Sequence, residues 1–255
     1  MAQTDEPDPH RAAYGTLVRL FADTPLACGA AVKLDPMQSN YVVNVMRKAR
    51  GGELLVFNGR DGEWLATVAE ARRGAAVLTV ERQTRPQVDG PDIHYLFAPL
   101  KHAKTDYIVQ KATEMGAAVL QPVMTHRTIA GRVNGERMRA NAIEAAEQCG
   151  ILRVPETREP VKLDKLLDTW ETARIIVYCD EAAPIASPVA ALSAIPRGPL
   201  ALLIGPEGGF DPSERERLRA LPFVHAISLG PRIMRADTAA VAAMALVNAV
   251  LGDWG

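Results

Sequence analysis

The residues best suited to chemistry fall in one stretch, 201–240, which reads ALLIGPEGGFDPSERERLRALPFVHAISLGPRIMRADTAA. Two apolar runs, 200–204 and 224–229, each end in a Gly-Pro step, Gly205-Pro206 and Gly230-Pro231, and each step leads into a helical pattern. This predicts two strand–loop–helix units lying side by side. In an open α/β sheet a ligand settles in the crevice beyond the carboxyl ends of the strands, where both loops would lie. Gly205, Gly208 and Gly209 permit positive φ and let backbone approach a ligand closely, or they serve only a tight strand-to-helix turn. Arg232 and Arg235 flank Ile233-Met234 in the second loop. Planar, permanently charged guanidinium groups there suit an anionic partner such as phosphate, unless one of them pairs with Asp237.

Several chemistries are excluded. GPEGGF matches neither the G-x-x-x-x-G-K-[ST] phosphate loop nor the G-x-G-x-x-G dinucleotide fingerprint, and no phosphate-binding lysine follows it. Asp211-Pro212-Ser213-Glu214 reads as a capping box with proline at the first helical position, which gives Asp211 a structural task worth about 1 kcal/mol. His102, His126 and His225 stand in unlike contexts and read as surface residues or RNA contacts rather than general bases. Cys28, Cys149 and Cys179 are too scattered for a disulfide framework or a zinc site. No metal site is expected.

The elements that must position these loops follow from periodicity. From Gly15 to about Arg85 the pattern is mostly strand, at 16–21, 53–57, 63–69 and 75–80, with turns at 58–62 and 72–74. One helix interrupts it. Asp35 caps it, Pro36 opens it, Gln38 completes a capping box, and Tyr41, Val42, Val45 and Met46 line one face. Arg47, Lys48 and Arg50 close its last turn, either as favourable charge at a helix end or as contacts to RNA phosphates. The polar segment 82–92 reads as a linker. Beyond it strands at 93–98, 119–124 and 175–178 alternate with helices at 101–115, 136–148, 163–170 and 189–195, which predicts a mainly parallel sheet covered on both faces. The last helix, DTAAVAAMALVNAVLG, is apolar nearly all round, so it is buried on more than one side and fits a homodimer seam.

With 255 residues, 48% apolar and 23% charged, the chain is long enough for two domains, and a formal charge of −1 neither demands nor forbids a local basic patch. Residues 1–13 are polar, lack the apolar core of a secretory signal and are expected to form a disordered tail. The longest apolar run, 241–251, is about half of what a bilayer span requires and Asn248 interrupts it, so a cytoplasmic protein without membrane partners is expected.

Taken together, LLIGPEGGF and LGPRIMRADTA resemble the two signature loops of the RsmE-like family, bacterial enzymes of the SPOUT superfamily that methylate a uridine of small-subunit (16S) ribosomal RNA at ring nitrogen 3. KTDYIVQKATEMGA and AIEAAEQCGILRVPE resemble the family's middle motifs, and LVRLF and ELLVFNGRDGEW its amino-terminal domain. The resemblance implies a PUA-like β-barrel that binds RNA over 14–86 and a SPOUT methyltransferase domain over 92–255. It further implies a carboxyl-terminal trefoil knot that holds S-adenosylmethionine, and a homodimer sealed by the last helix. Carried over, Ile204, Gly205, Pro206, Glu207 and Gly208 form the first cofactor loop, and Leu229, Gly230, Ile233, Arg235 and Thr238 the second. Arg19, Lys101, Lys111, Glu114, Arg127, Glu144 and Gln148 also match patterned positions, although Lys111 and Glu114 would equally make a helix-surface ion pair. Two places depart from the family: Ala236-Asp237-Thr238 replaces Thr-Glu-Thr, and Ile151 stands where an arginine is usual, with Arg153 near enough to substitute.

Methylation at an imide nitrogen requires loss of its proton or stabilisation of the developing anion, which positioning and electrostatics supply. The resemblance makes Arg235 the residue that stabilises or orients the base, and Glu207 one that positions the reacting groups or braces its own loop. Arg19, Arg47, Lys48, Arg60, Lys101, Lys104 and Arg127 are the candidate RNA contacts, on 16S rRNA or the small ribosomal subunit. The competing functions are a methyltransferase of the same fold acting on transfer RNA or another rRNA position, and a non-catalytic ribosome-assembly dimer, whose cofactor loops would be damaged.

Overall fold

The computed structural model describes residues 9–72, 74–129, 132–184 and 187–254. The chain divides into two compact units, 1–88 and 89–255.

In the first unit, α1 (Pro9–Tyr14) precedes β1 (Arg19–Phe21), β2 (Ala31–Lys33), α2 (Pro36–Asn40), β3 (Glu53–Phe57), β4 (Glu63–Glu70) and β5 (Val77–Arg85). The strands form one sheet in the order β1-β3-β4-β5-β2, with β1 and β3 parallel and the other pairs antiparallel. Leu20, Val32, Val42, Leu54, Val56, Leu78 and Val80 fill its core. The turn at 58–62 forms because the Asn58 side-chain oxygen accepts from the N–H groups of Arg60 and Asp61, while Gly59 and Gly62 take positive φ. Arg73, at the centre of the expected turn at 72–74, lies outside the described residues.

Three expectations need correction here. Residues 1–8 of the tail lie outside the described residues, but 9–14 is helical, and His10 meets Glu63 at 2.6 Å. Asp35 makes the expected capping box, yet the helix widens into a π segment, Tyr41–Val45. The wider winding turns Val45 outward to 60% exposure and leaves Arg47 beyond the helix end at φ 53°. Finally, β5 runs through the start of the expected linker because Thr84 and Arg85 serve a buried carboxylate. Glu63 is fully buried and receives hydrogen bonds from Arg85, Arg19 and Thr84. Arg19 is therefore an internal ion-pair partner, 16% exposed, rather than a free phosphate contact.

The second unit contains β6 (Ile93–Phe97), α3 (His102–Glu114), β7 (Val119–Met124), α4 (Gly135–Cys149), β8 (Glu156–Thr157), β9 (Val161–Lys162), α5 (Leu163–Asp168), β10 (Ile175–Cys179), α6 (Pro188–Ser193), β11 (Leu200–Ile204), α7 (Pro212–Ala220), β12 (Val224–Ile227) and α8 (Ala236–Val250). All strand pairs are parallel, in the order β12-β10-β11-β6-β7-β8, with β9 also on β7. Alternate side chains explain why β11 is apolar throughout. Leu202 and Ile204 pack with α3, α4, α6 and α8, while Ala201 and Leu203 pack with α5 and α7 on the other face. Gly116 ends α3 at φ 82°, and Asn134 caps α4, which ends on Gly150 at φ 67°. Asn248 interrupts the apolar α8 for a purpose: its amide donates to the Met115 carbonyl at the end of α3. Among the described residues, no helix is long and apolar enough to cross a membrane.

Burial pushes the Glu63 pKa up, but the hydrogen bonds from Arg85 and Thr84, the charge of Arg85 and the bond from Arg19 outweigh it and hold it below the ordinary value. A depressed folded-state pKa stabilises above the unfolded value of about 4.3 and loses that contribution as pH falls through the folded value. Replacing Glu63 by Gln should cost about 3 kcal/mol at pH 7 and less at pH 3, because it strands two arginines. Thermal melts at the two pH values check this; equal losses at both would detach the acid sensitivity from Glu63.

Candidate functional site

The loops after β11 and β12 both open at the carboxyl edge of the parallel sheet, but their strands are not neighbours, because β10 lies between them. This corrects the side-by-side expectation. It also means that the loop after β10 contributes to the same crevice. A pocket of about 300 Å³ results, lined from the first loop by Ile204, Gly205, Pro206 and Glu207, and from the second by Leu229, Gly230, Ile233 and Arg235. Gly208 and Thr238 do not line it. Gly208 turns its carbonyl to Arg127, and Thr238 is exposed on α8, where Ala236 and Ala239 face the pocket instead.

The first loop is braced from several sides. Its glycines serve different ends. A β-carbon on Gly205 would come within 2.6 Å of the Phe210 ring, which is buried edge-on against Tyr178. Gly209 takes φ 67°, and Gly208 has room for a β-carbon at ordinary contact with Arg127. Glu207 forms an ion pair with Lys104 of α3 at 3.1 Å, and Arg127 reaches both the Gly208 carbonyl and Asp211. Asp211 makes the expected capping box with Glu214. Glu214 also accepts the backbone N–H of His126, so the cap fastens the loop after β7 to α7.

In the second loop Gly230, at φ 107°, donates its N–H to Ser228 Oγ. Arg232, Ile233 and Arg235 are exposed, Ile233 at 92%. Asp237 accepts from the Thr238 N–H instead of pairing with an arginine. Among the described residues neither Arg232 nor Arg235 has a carboxylate partner, so two unspent cations stand at the pocket mouth.

Sequence reasoning missed the third wall. Asp180 has no exposed side-chain surface; it lies 3.2 Å from Arg215 Nε and 2.6 Å from Arg219, and accepts the Ala182 N–H. Arg215 also reaches Glu181 at 3.2 Å. The signal that could have revealed this wall was the Cys179-Asp180-Glu181 step after an all-apolar strand, but its value depends on a strand order that periodicity does not encode. Burial pushes the Cys179 thiol up to about 12 and raises Tyr178 as well, so neither is an acid–base group near neutrality. Among the described residues no cluster of histidine, cysteine and carboxylates is placed to hold a metal.

The remaining candidates are distributed as follows. Lys101 is exposed at the amino end of α3, Arg60 lies 3.3 Å from Asp23, and Arg47 and Lys48 follow the π segment. Lys111 and Glu114 pair with each other on the α3 surface at 2.7 Å. Arg153 donates to the carbonyls of Pro91 and Gly116, at the amino end of β6 and the close of α3. His126 is exposed, His225 is half-buried, and the side chain of His102 lies outside the described part of the structure.

The pocket fits S-adenosylmethionine in its donor set: aliphatic walls for a purine, two loops of backbone groups, and carboxylates for a cationic ligand. Comparison with known proteins agrees. Residues 34–81 match the family model described as an RNA methyltransferase PUA domain. The ribosomal RNA small subunit methyltransferase E of Rickettsia conorii is 27% identical over 232 residues, covering 90% of this chain and 94% of that protein. A methyltransferase of Legionella pneumophila, solved in complex with bound SAM, superposes with TM-score 0.80 at 26% identity, covering 93% of this chain and 99% of the other. The ribosomal RNA small subunit methyltransferase E of Neisseria gonorrhoeae shares the fold, with TM-score 0.82 at 24% identity over 94% of this chain and 100% of that one. Residues 88–248, which hold every element of the pocket, match the family model described as an RNA methyltransferase domain, and the chain belongs to that family.

Proposed function

We propose that this chain transfers the methyl group of S-adenosylmethionine to N3 of a uridine in 16S ribosomal RNA, as a cytoplasmic homodimer of the RsmE-like type. The observation that carries the proposal is the pocket between the two Gly-Pro loops, with the unpaired Arg235 at its mouth. The names of the relatives and the bound SAM of the Legionella neighbour support the substrate and the cofactor. The trefoil knot and the dimer belong to this proposal. The outward side of α8, with Val241, Ala242 and Ala245 half-buried and outside the core, is the surface assigned to the second copy.

S-adenosylmethionine, when bound, supplies an electrophilic methyl group on a sulfonium centre. The chain's own residues do the rest. Ile204, Leu229, Ala236 and Ala239 exclude water from one side of the pocket. The Arg235 guanidinium stabilises the negative charge that spreads to the uracil oxygens as the N3 proton leaves. Glu207 acts as a brace: its bond to Lys104 holds the first loop against α3. Arg47, Lys48, Arg60, Lys101 and the added Arg232 are the proposed phosphate contacts, whereas Lys104 and Arg127 hold the cofactor loop.

Four measurements test this reading. Purified protein supplied with S-adenosylmethionine and 16S rRNA or small subunits should produce N3-methyluridine, detected by mass spectrometry. Arg235→Ala should lower turnover about 100-fold with an unchanged melting curve, and near-normal turnover would remove Arg235 from the chemistry. Gly205→Ala, whose β-carbon would collide with Phe210, should weaken S-adenosylmethionine binding about 10-fold or more by calorimetry, while Gly208→Ala should bind normally. RNA affinity should fall with salt at about 0.7 to 0.9 log units per log unit for each phosphate neutralised; a flat salt response would reject the RNA assignment.

A further inference from the structure

Three carboxylates line the pocket, and two are already committed. Asp180 has no exposed side-chain surface and is held by Arg215, Arg219 and the Ala182 N–H, and Glu207 is tied to Lys104. Glu181 is different. Its side chain is 58% exposed against 40% for Glu207, and among the described residues its cation partner is Arg215, on Oε1. The site where a β-carbon would stand on Gly209 lies 2.6 Å from Glu181 Oε1 and 3.5 Å from Oε2, so the absence of a side chain at Gly209 leaves the carboxylate lying directly over the loop.

The pocket is also polarised from one side of the sheet to the other. Ile204, Leu229, Ala236 and Ala239 belong to the core layer of α8, whereas Arg215 belongs to α7, which packs on the opposite face. A ligand spanning the carboxyl edge therefore meets aliphatic surface at its α8 end and the Asp180–Arg215–Glu181 group at its α7 end. S-adenosylmethionine has the matching asymmetry, a flat purine at one end and a charged amino acid at the other.

Resting on the cofactor assignment above, we propose that Glu181 binds the α-ammonium group of the methionine end of S-adenosylmethionine. Arg215 is a positioning residue: anchored on the buried Asp180, it holds one Glu181 oxygen and leaves the other for the ligand. A carboxylate suits the ammonium because it accepts a charge-assisted hydrogen bond, about twice as strong as a neutral one.

The test is calorimetric and needs no turnover. Wild-type protein and Glu181→Gln are titrated with S-adenosylmethionine, S-adenosylhomocysteine and 5′-methylthioadenosine, which keeps the nucleoside and lacks the amino acid. Glu181→Gln should weaken the first two about 10-fold or more and leave 5′-methylthioadenosine unchanged. Equal weakening of all three would overturn the proposal in favour of a contact to the nucleoside, and no change in any would remove Glu181 from the site. If the wild-type protein bound none of the three, the cofactor assignment itself would fall, a result distinct from either. A melting curve for Glu181→Gln that matches the wild type shows that the weakened binding is not a loss of folding.

Discussion

Everything at the carboxyl edge of the parallel sheet rests on one buried charge. Asp180 leaves the end of β10, between β11 and β12, and its carboxylate is gripped by Arg215 and Arg219 on successive turns of α7. A carboxylate taken out of water costs several kcal/mol unless its partners stay in place, so α7 cannot shift without stranding it. Held there, α7 fixes the end of the GPEGGF loop through the Asp211–Glu214 box, and Glu214 in turn receives the His126 N–H. The loops after β10, β11 and β7 are thus held to one helix, and the first two of them form two walls of the pocket.

This is also where the sequence was least legible. Strands such as 53–57, 93–97 and 200–204 declared themselves by apolar runs, and the caps at Asp35 and Asp211 by residue type and spacing, because those signals are local. The Gly-Pro loops were visible for the same reason. Strand order is not local. That β10 separates β11 from β12 depends on long-range packing, and only that order brings Asp180, Glu181 and Arg215 to the pocket. The π segment at Tyr41–Val45 is a similar case: a helical period was present, but the extra backbone per turn that exposes Val45 is set by packing on the sheet. Short strands such as β2 and β9 carry too few residues to show a period at all.

The glycines teach the same lesson on a smaller scale. Their clustering marked the loop correctly, yet the uniform explanation, freedom of φ, applies to Gly209 and not to its neighbours. Gly205 is small because a buried ring stands where its β-carbon would be, and Gly208 has room to spare. What the motif preserves is therefore a set of separate steric conditions around one pocket.

Charge gave the least transferable signal. Seven cations were candidates for RNA, and a side chain's type alone cannot say whether its charge is already neutralised. Arg19 compensates Glu63, Lys104 compensates Glu207, and Arg127 bonds the Gly208 carbonyl, each doing structural work within its own unit. A cation so engaged adds little to counterion release, because its field is already largely cancelled by the neighbouring carboxylate. Arg232 and Arg235 differ in having no such partner among the described residues, and they stand on the loop that lines the pocket. Arg232 and Arg235, three positions apart on the one loop, are both exposed and both line the pocket.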